Sequence, residues 1–140
     1  MDCSIAQLTV AEKAASAFEP GDHGATYGGN PFVTAAVSKV FDLFESENIL
    51  EHVKEISIYL QSKLDELVEK YDFILERRGK GLMQGLEFNG PVKEYILEAM
   101  DKGLIIIAAG PNILRFVPPL IITKENVDEM IHILESCLEK

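Results

Sequence analysis

Apolar residues recur every three or four positions along two long stretches of the chain, which is the spacing of one helix face. The first stretch follows Pro31. The second begins near Asn48, with Glu51 placed three residues later for a capping box, and charged residues fill its other side. The apolar positions are Phe32, Val33, Ala36, Val37, Val40, Phe41 and Phe44, then Ile49, Val53, Ile56, Leu60, Leu64, Leu67 and Tyr71. The pattern predicts helices over residues 31–45 and 48–71.

The second half of the chain carries shorter apolar runs separated by glycine and proline, a pattern typical of strands joined by turns. Residues 79–80 and 110–112 are the predicted hairpin turns. Residues 89–91 precede a third helix that Gly103 ends, and Thr123 is the predicted N-cap of a last helix. The predicted strands cover residues 73–77, 81–88, 104–108 and 113–117. Together these elements predict a two-layer α+β fold, with helices packed on a small, mostly antiparallel sheet.

Composition excludes several classes of protein. The formal net charge of −10 argues against nucleic acid and anionic membranes as partners, because both select basic surfaces. No apolar run has the length of a membrane span, and the N-terminus lacks the basic start of a signal peptide. Cys3 and Cys137 stand at opposite ends and the histidines have no ligand spacing, so no disulfide framework and no metal site is expected. A cytoplasmic protein is predicted.

Candidate chemistry begins with a glycine-rich loop, GDHGATYGGNP, at residues 21–31. Asn30 is a suitable N-cap and Pro31 a suitable first helical residue, so the loop runs directly into a helix N-terminus. Free backbone N–H groups and the positive end of the helix dipole favour a phosphate or carboxylate there, and Thr26 adds a hydroxyl donor. Composition alone leaves a tight structural turn equally open.

Arg115 is the second candidate, because it interrupts an otherwise apolar strand. An isolated charge in such a strand needs a partner, and the planar guanidinium suits two hydrogen bonds to one carboxylate. The alternatives are an edge arginine that reaches solvent and an ion pair with Glu87.

Three segments resemble, in the same order, signatures of the class III pyridoxal-phosphate aminotransferases. They are GDHGATYGGNP at residues 21–31, RRGKGLMQGLEF at 77–88 and ILRFVPPLIIT at 113–123. The GDH opening is most similar to that of acetylornithine aminotransferases. The resemblance implies the small C-terminal domain of fold-type-I enzymes over residues 31–140. Residues 1–30 would then be the remnant of the large domain together with the cofactor-phosphate loop.

The resemblance also implies roles for single residues. The threonine at the position of Thr26 binds the cofactor phosphate across a homodimer, in the partner's active site; a hydroxyl bonded to its own backbone is the structural alternative. The arginine at the position of Arg115 binds the substrate α-carboxylate. His23 is expected to order the loop. The implied cofactor is pyridoxal 5'-phosphate, and the implied substrates are small amino acids and 2-oxo acids.

One essential residue of the family has no counterpart in this chain. The lysine that forms the Schiff base precedes the GDH motif by more residues than this chain has there, so its position falls before Met1. We therefore expect the C-terminal fragment of an enzyme that converts acetylornithine and 2-oxoglutarate to N-acetylglutamate semialdehyde and glutamate, inactive by itself. Ornithine, succinyldiaminopimelate and 4-aminobutyrate transaminases remain alternatives within the family. A non-catalytic binding module derived from the same fold is the alternative of a different class.

Overall fold

The computed structural model describes residues 17, 19 and 28–139. The chain divides into two compact units, Met1–Asn48 and Ile49–Lys140. In the first unit, helix α1 spans Pro31–Ser46. Its N-cap is Asn30, whose Oδ1 accepts a hydrogen bond from the backbone N–H of Val33 at 3.0 Å, and Pro31 occupies the first turn. The predicted start of this helix is confirmed.

The second unit is an α+β fold in which helices cover one face of a four-stranded sheet. Its elements in chain order are α2 (Ile49–Lys70), β1 (Ile74–Lys80), β2 (Met83–Phe88), α3 (Lys93–Asp101), β3 (Ile107–Ala108), β4 (Ile113–Phe116) and α4 (Lys124–Leu138). The strand order is β1-β2-β4-β3, and each neighbouring pair is antiparallel. The predicted fold class is confirmed.

The hydrophobic core of the second unit lies between the sheet and the helices. Leu60 and Leu64 of α2, Leu86 of β2, Leu114 of β4 and Leu134 of α4 are all fully buried, at 0% exposure. The α2 residues follow the three- and four-residue spacing seen in the sequence, because one stripe of the helix faces the sheet. Every element of the second unit except β3 therefore contributes residues to a single core.

The first hairpin turn lies two residues later than predicted. Lys80 pairs with Met83, so Gly81 and Leu82 form a two-residue connection between β1 and β2. Gly81 has a φ of 58°, in the left-handed region that glycine adopts without steric cost. Gly79, which the sequence placed in the turn, continues the strand instead. The prediction was wrong because both glycines are suitable for a turn, and strand pairing selects the second.

The helix and strand ends show one confirmed cap and two differences. Thr123 caps α4 in a capping box with Asn126, as its position predicts. The capping box predicted for α2 is wrong: Asn48 has a φ of 51°, whereas an N-cap residue has extended backbone, and Glu51 binds Lys54 at 2.6 Å. The third strand, predicted over residues 104–108, is shortened to its last two residues.

Candidate functional site

One face of the sheet is not covered by the helices of the second unit. Side chains alternate along each strand, so Gln84, Leu86 and Phe88 of β2 point into the core with Leu114 and Phe116 of β4. The remaining residues of these two strands lie on the opposite face, called the open face below. They are Met83, Gly85, Glu87, Ile113 and Arg115.

Strand register places two arginines on the open face with a glycine between them. Gly85 of β2 pairs with Arg78 of β1 on one side and with Arg115 of β4 on the other. A groove of about 350 Å³ lies over this row and is also lined by Lys80 and Ile113. Positively charged side chains therefore line a shallow groove on the open face.

Gly85 keeps the floor of this groove low. A Cβ at this position would lie 3.3 Å from Ile113 Cγ2 and 3.7 Å from the carbonyl oxygens of Arg78 and Leu114. A side chain here would also project into the space between the two arginines. The glycine therefore leaves room for a small ligand to approach Arg115.

Arg115 has an unsatisfied hydrogen-bond donor. Its side chain is half-buried, and its Nε atom is buried without a hydrogen-bond partner among the described residues. A buried, unpaired donor costs free energy, and more when the group is charged. The predicted alternative partner, Glu87, instead binds Arg78 and Asn112. Arg115 is thus available for an external anion, and a carboxylate fits its planar fork.

A second network, which sequence reasoning missed, anchors the β1–β2 hairpin to α2. Arg77 donates from Nε to Asp65 Oδ1 at 2.6 Å and from Nη2 to Oδ2 at 3.1 Å, a bidentate pair. Its Nη1 donates to Gln84 Oε1 at 3.0 Å, and Gln84 Nε2 donates to the carbonyl oxygen of Gly81 at 2.6 Å. Gln84 is 1% exposed. A polar residue at an inward position of β2 was the available signal, since buried amides require partners.

Thr26 and His23 lie outside the described residues, as does most of the loop at residues 21–31. Of that loop, the structure describes its end, where Gly29 has a φ of 72° and Asn30 caps α1. The structure therefore shows the helix N-terminus that a phosphate-binding loop at these residues would require. The role of Thr26 stays a prediction.

The described residues do not by themselves fit the pyridoxal phosphate that the resemblance implies. The cofactor needs a lysine held in a site that favours its neutral amine. Among the described lysines, all but Lys63 are exposed. Lys63 donates to Glu66 at 3.3 Å, which raises its pKa, and the pKa of Lys70 is likewise raised by its hydrogen bond to Glu135. None of them has the environment of a cofactor lysine.

Neither a membrane-spanning helix nor a cluster of metal-ligating side chains is found in the described part of the chain. No helix within it is long and apolar enough to cross a membrane. No group of three or more histidine, cysteine or acidic side chains among the described residues could hold a metal ion.

Comparison with known proteins agrees with the motifs and the fold. The family described as aminotransferase class-III matches residues 3–138. The acetylornithine aminotransferase of Aquifex aeolicus is 42% identical over 134 residues, which are 96% of this chain and 34% of that protein. The chain thus spans about a third of the length of the curated relatives it matches.

Two solved structures extend the comparison. The acetylornithine aminotransferase from Elizabethkingia anophelis matches with a TM-score of 0.77 and 31% identity, over 90% of this chain and 33% of that one. The ornithine delta-aminotransferase of Plasmodium falciparum matches with a TM-score of 0.78 and 30% identity, over 91% of this chain and 34% of that one. The chain therefore belongs to the class-III aminotransferases, a family that depends on pyridoxal phosphate.

Proposed function

We propose that this chain is the C-terminal part of an acetylornithine aminotransferase. The reaction would transfer the amino group of acetylornithine to 2-oxoglutarate, giving N-acetylglutamate semialdehyde and glutamate in arginine biosynthesis. Eight curated relatives between 35% and 43% identical to the chain carry the name acetylornithine aminotransferase, and this supports the choice of amino donor. The whole enzyme would be a cytoplasmic homodimer.

The observation that carries the proposal is Arg115 Nε, which lies buried beside the groove without a hydrogen-bond partner among the described residues. We assign to Arg115 the binding of the α-carboxylate of glutamate and 2-oxoglutarate, which is attached to the carbon that carries the amino or oxo group. Its buried Nε lacks a partner among the described residues, so a bound carboxylate would satisfy it. Two parallel N–H···O bonds would also fix the orientation of the substrate.

The cofactor would be held jointly by this part of the enzyme and by the rest of it. Thr26, in the glycine-rich loop, would donate to the cofactor phosphate in the partner's active site. Pyridoxal phosphate, when bound, would supply the electron sink for the transfer. The lysine that anchors it would belong to the preceding part of the enzyme, so we expect the 140-residue chain to lack transaminase activity by itself.

Ornithine is the second candidate for the amino donor. It is favoured by the structural match to the Plasmodium falciparum ornithine delta-aminotransferase, at 30% identity. Arg115 would have the same role with either donor, because both reactions share 2-oxoglutarate and glutamate. The donor itself would be selected mostly by residues outside this chain.

Two measurements test the proposal. The chain is mixed with stoichiometric pyridoxal phosphate, reduced with borohydride and mapped by mass spectrometry; no single lysine should be labelled stoichiometrically, and one such lysine would refute the missing-lysine assignment. In parallel, the Nε–Hε resonance of Arg115 is followed by NMR during titration with 2-oxoglutarate. A saturable shift is expected, absent with the dimethyl ester. A resonance that does not shift with 2-oxoglutarate would refute the role of Arg115 in carboxylate binding.

A further inference from the structure

Glu87 lies on the open face between two arginines. It pairs directly with Ile113 of β4 on one side and with Glu76 of β1 on the other. Arg78 is two residues beyond Glu76 and Arg115 two residues beyond Ile113, so each arginine is a diagonal neighbour of Glu87. Diagonal positions are within reach of long side chains. By register alone, Glu87 could bind either arginine.

The structure shows that Glu87 binds Arg78. Its Oε2 accepts from Arg78 Nη2, and its Oε1 accepts from Asn112 Nδ2 at 3.1 Å. Both carboxylate oxygens of Glu87 are thus engaged by residues other than Arg115. Asn112 Nδ2 also donates to the carbonyl oxygen of Phe88 at 3.2 Å, which holds the amide in this position.

Arg78 also offsets a repulsion between two carboxylates. Glu76 and Glu87 stand directly opposite each other on β1 and β2, an arrangement that is destabilising for like charges. Arg78 Nη1 lies 3.4 Å from Glu76 Oε1 while Nη2 binds Glu87, so one guanidinium serves both carboxylates. Without it, Glu87 would be repelled by Glu76, and its other diagonal neighbour is the cation of Arg115.

We propose that Arg78 is a positioning residue: by holding Glu87 with the help of Asn112, it keeps Glu87 off Arg115 and leaves Arg115 free for a substrate carboxylate. The inference rests on the proposed role of Arg115. Arg78 need not touch the substrate in this arrangement. Its action is to prevent an internal ion pair that would compete with the ligand.

The test compares four variants of the full chain by NMR of the Arg115 Nε–Hε group. They are Arg78→Met, Glu87→Gln, the double variant, and Lys93→Met, which removes one positive charge on α3, outside the open face. In Arg78→Met we expect the Arg115 resonance to shift without ligand and 2-oxoglutarate to bind about tenfold more weakly, because Glu87 now competes. The double variant should return the ligand-free Arg115 resonance to its position in the parent and the affinity for 2-oxoglutarate to within about twofold of the parent value. Lys93→Met should change neither the resonance nor the affinity.

The outcomes separate this inference from the proposed function. If the Arg115 resonance of the parent does not shift with 2-oxoglutarate, the proposed role of Arg115 in substrate binding is refuted. The resonance shift in ligand-free Arg78→Met still tests whether Glu87 binds Arg115 when Arg78 is removed. If Arg78→Met leaves the ligand-free resonance unchanged, or if the double variant binds as weakly as the single one, the positioning role is refuted. Arg78 is more than half exposed, and Arg78→Gln provides a second variant with the same expectations should the methionine variant unfold.

Discussion

At the scale of single residues, Gly79 is the glycine least able to accept a side chain among those that the structure describes. Its φ is 147°, and a Cβ would collide with the carbonyl oxygen of Met83 and lie 2.8 Å from Gln84 Cα. We expect Gly79→Ala to lower the free energy of unfolding by about 2 kcal/mol or more, measured as a fall in the urea midpoint at constant m-value. Gly90→Ala is the matched control, since a Cβ added there would lie more than 4 Å from every heavy atom beyond its chain neighbours. An equal loss in both variants would contradict this account.

Lys70 sets the ionisation of Glu139. Its Nζ donates to Glu139 Oε1 at 3.1 Å, and this bond, with one from Tyr71, lowers the pKa of Glu139. A carboxyl group whose pKa is lowered by folding stabilises the protein at pH values above its unfolded pKa of about 4.3. This stabilisation is lost as the pH falls through the pKa of the folded state. Lys70→Met should raise the pKa of Glu139 in an NMR titration, whereas Lys54→Met should leave it unchanged. A pKa that stays low without Lys70 would assign the shift to Tyr71.

The sequence alone singles out Asn30, Thr123 and Arg115 at this scale. The first two are confirmed as caps, because a cap depends on neighbours three residues away. The partner of Glu87 could not be decided in this way. Arg78 and Arg115 are far apart in the chain, and strand pairing makes both of them its neighbours.

At the scale of elements, the cap of α4 gives a direct test. Thr123 Oγ1 accepts from the backbone N–H of Asn126 at 3.4 Å, and Thr123 N donates to Asn126 Oδ1 at 3.1 Å. Thr123→Ala should cost about 1 kcal/mol of unfolding free energy, measured by urea denaturation, because a helix-end donor loses its acceptor. Thr123→Ser keeps the hydroxyl and should retain most of the stability. A serine variant as unstable as the alanine variant would argue against the cap.

The two hairpins show how far element prediction reaches. The existence of the strands and their order along the chain were predicted from short apolar runs bounded by glycine and proline. The position of the first turn could not be predicted, because Gly79 and Gly81 are equally suitable for a turn. Pairing of Lys80 with Met83 selected Gly81, and the Arg77–Asp65–Gln84 network then tied the hairpin to α2.

At the scale of the whole molecule, the core lies within the second unit. Its buried residues run from Ile56 to Leu138, so a chain of residues 49–140 contains the complete cluster. We expect this shortened chain to unfold in one cooperative transition, with coincident urea curves from circular dichroism and tyrosine fluorescence. Curves that do not coincide would contradict this prediction.

A cavity variant tests the core of the shortened chain. Leu134→Ala should lower the free energy of unfolding by roughly 2 to 5 kcal/mol, as other truncations of buried leucines do. Leu97→Ala, about half exposed, is the control. A gradual loss of signal would contradict an independent fold.

The sequence by itself determined the features that depend on short-range spacing: the helix faces, the caps at Asn30 and Thr123, and the order of the family motifs. These follow from periodicity and from contacts within one helical turn. Tertiary structure decided the turn at Gly81, the burial of Gln84 and the choice of Arg78 over Arg115 as the partner of Glu87. Each of these depends on strand register, which brings together residues far apart in the chain and leaves Arg115 Nε without a partner among the described residues.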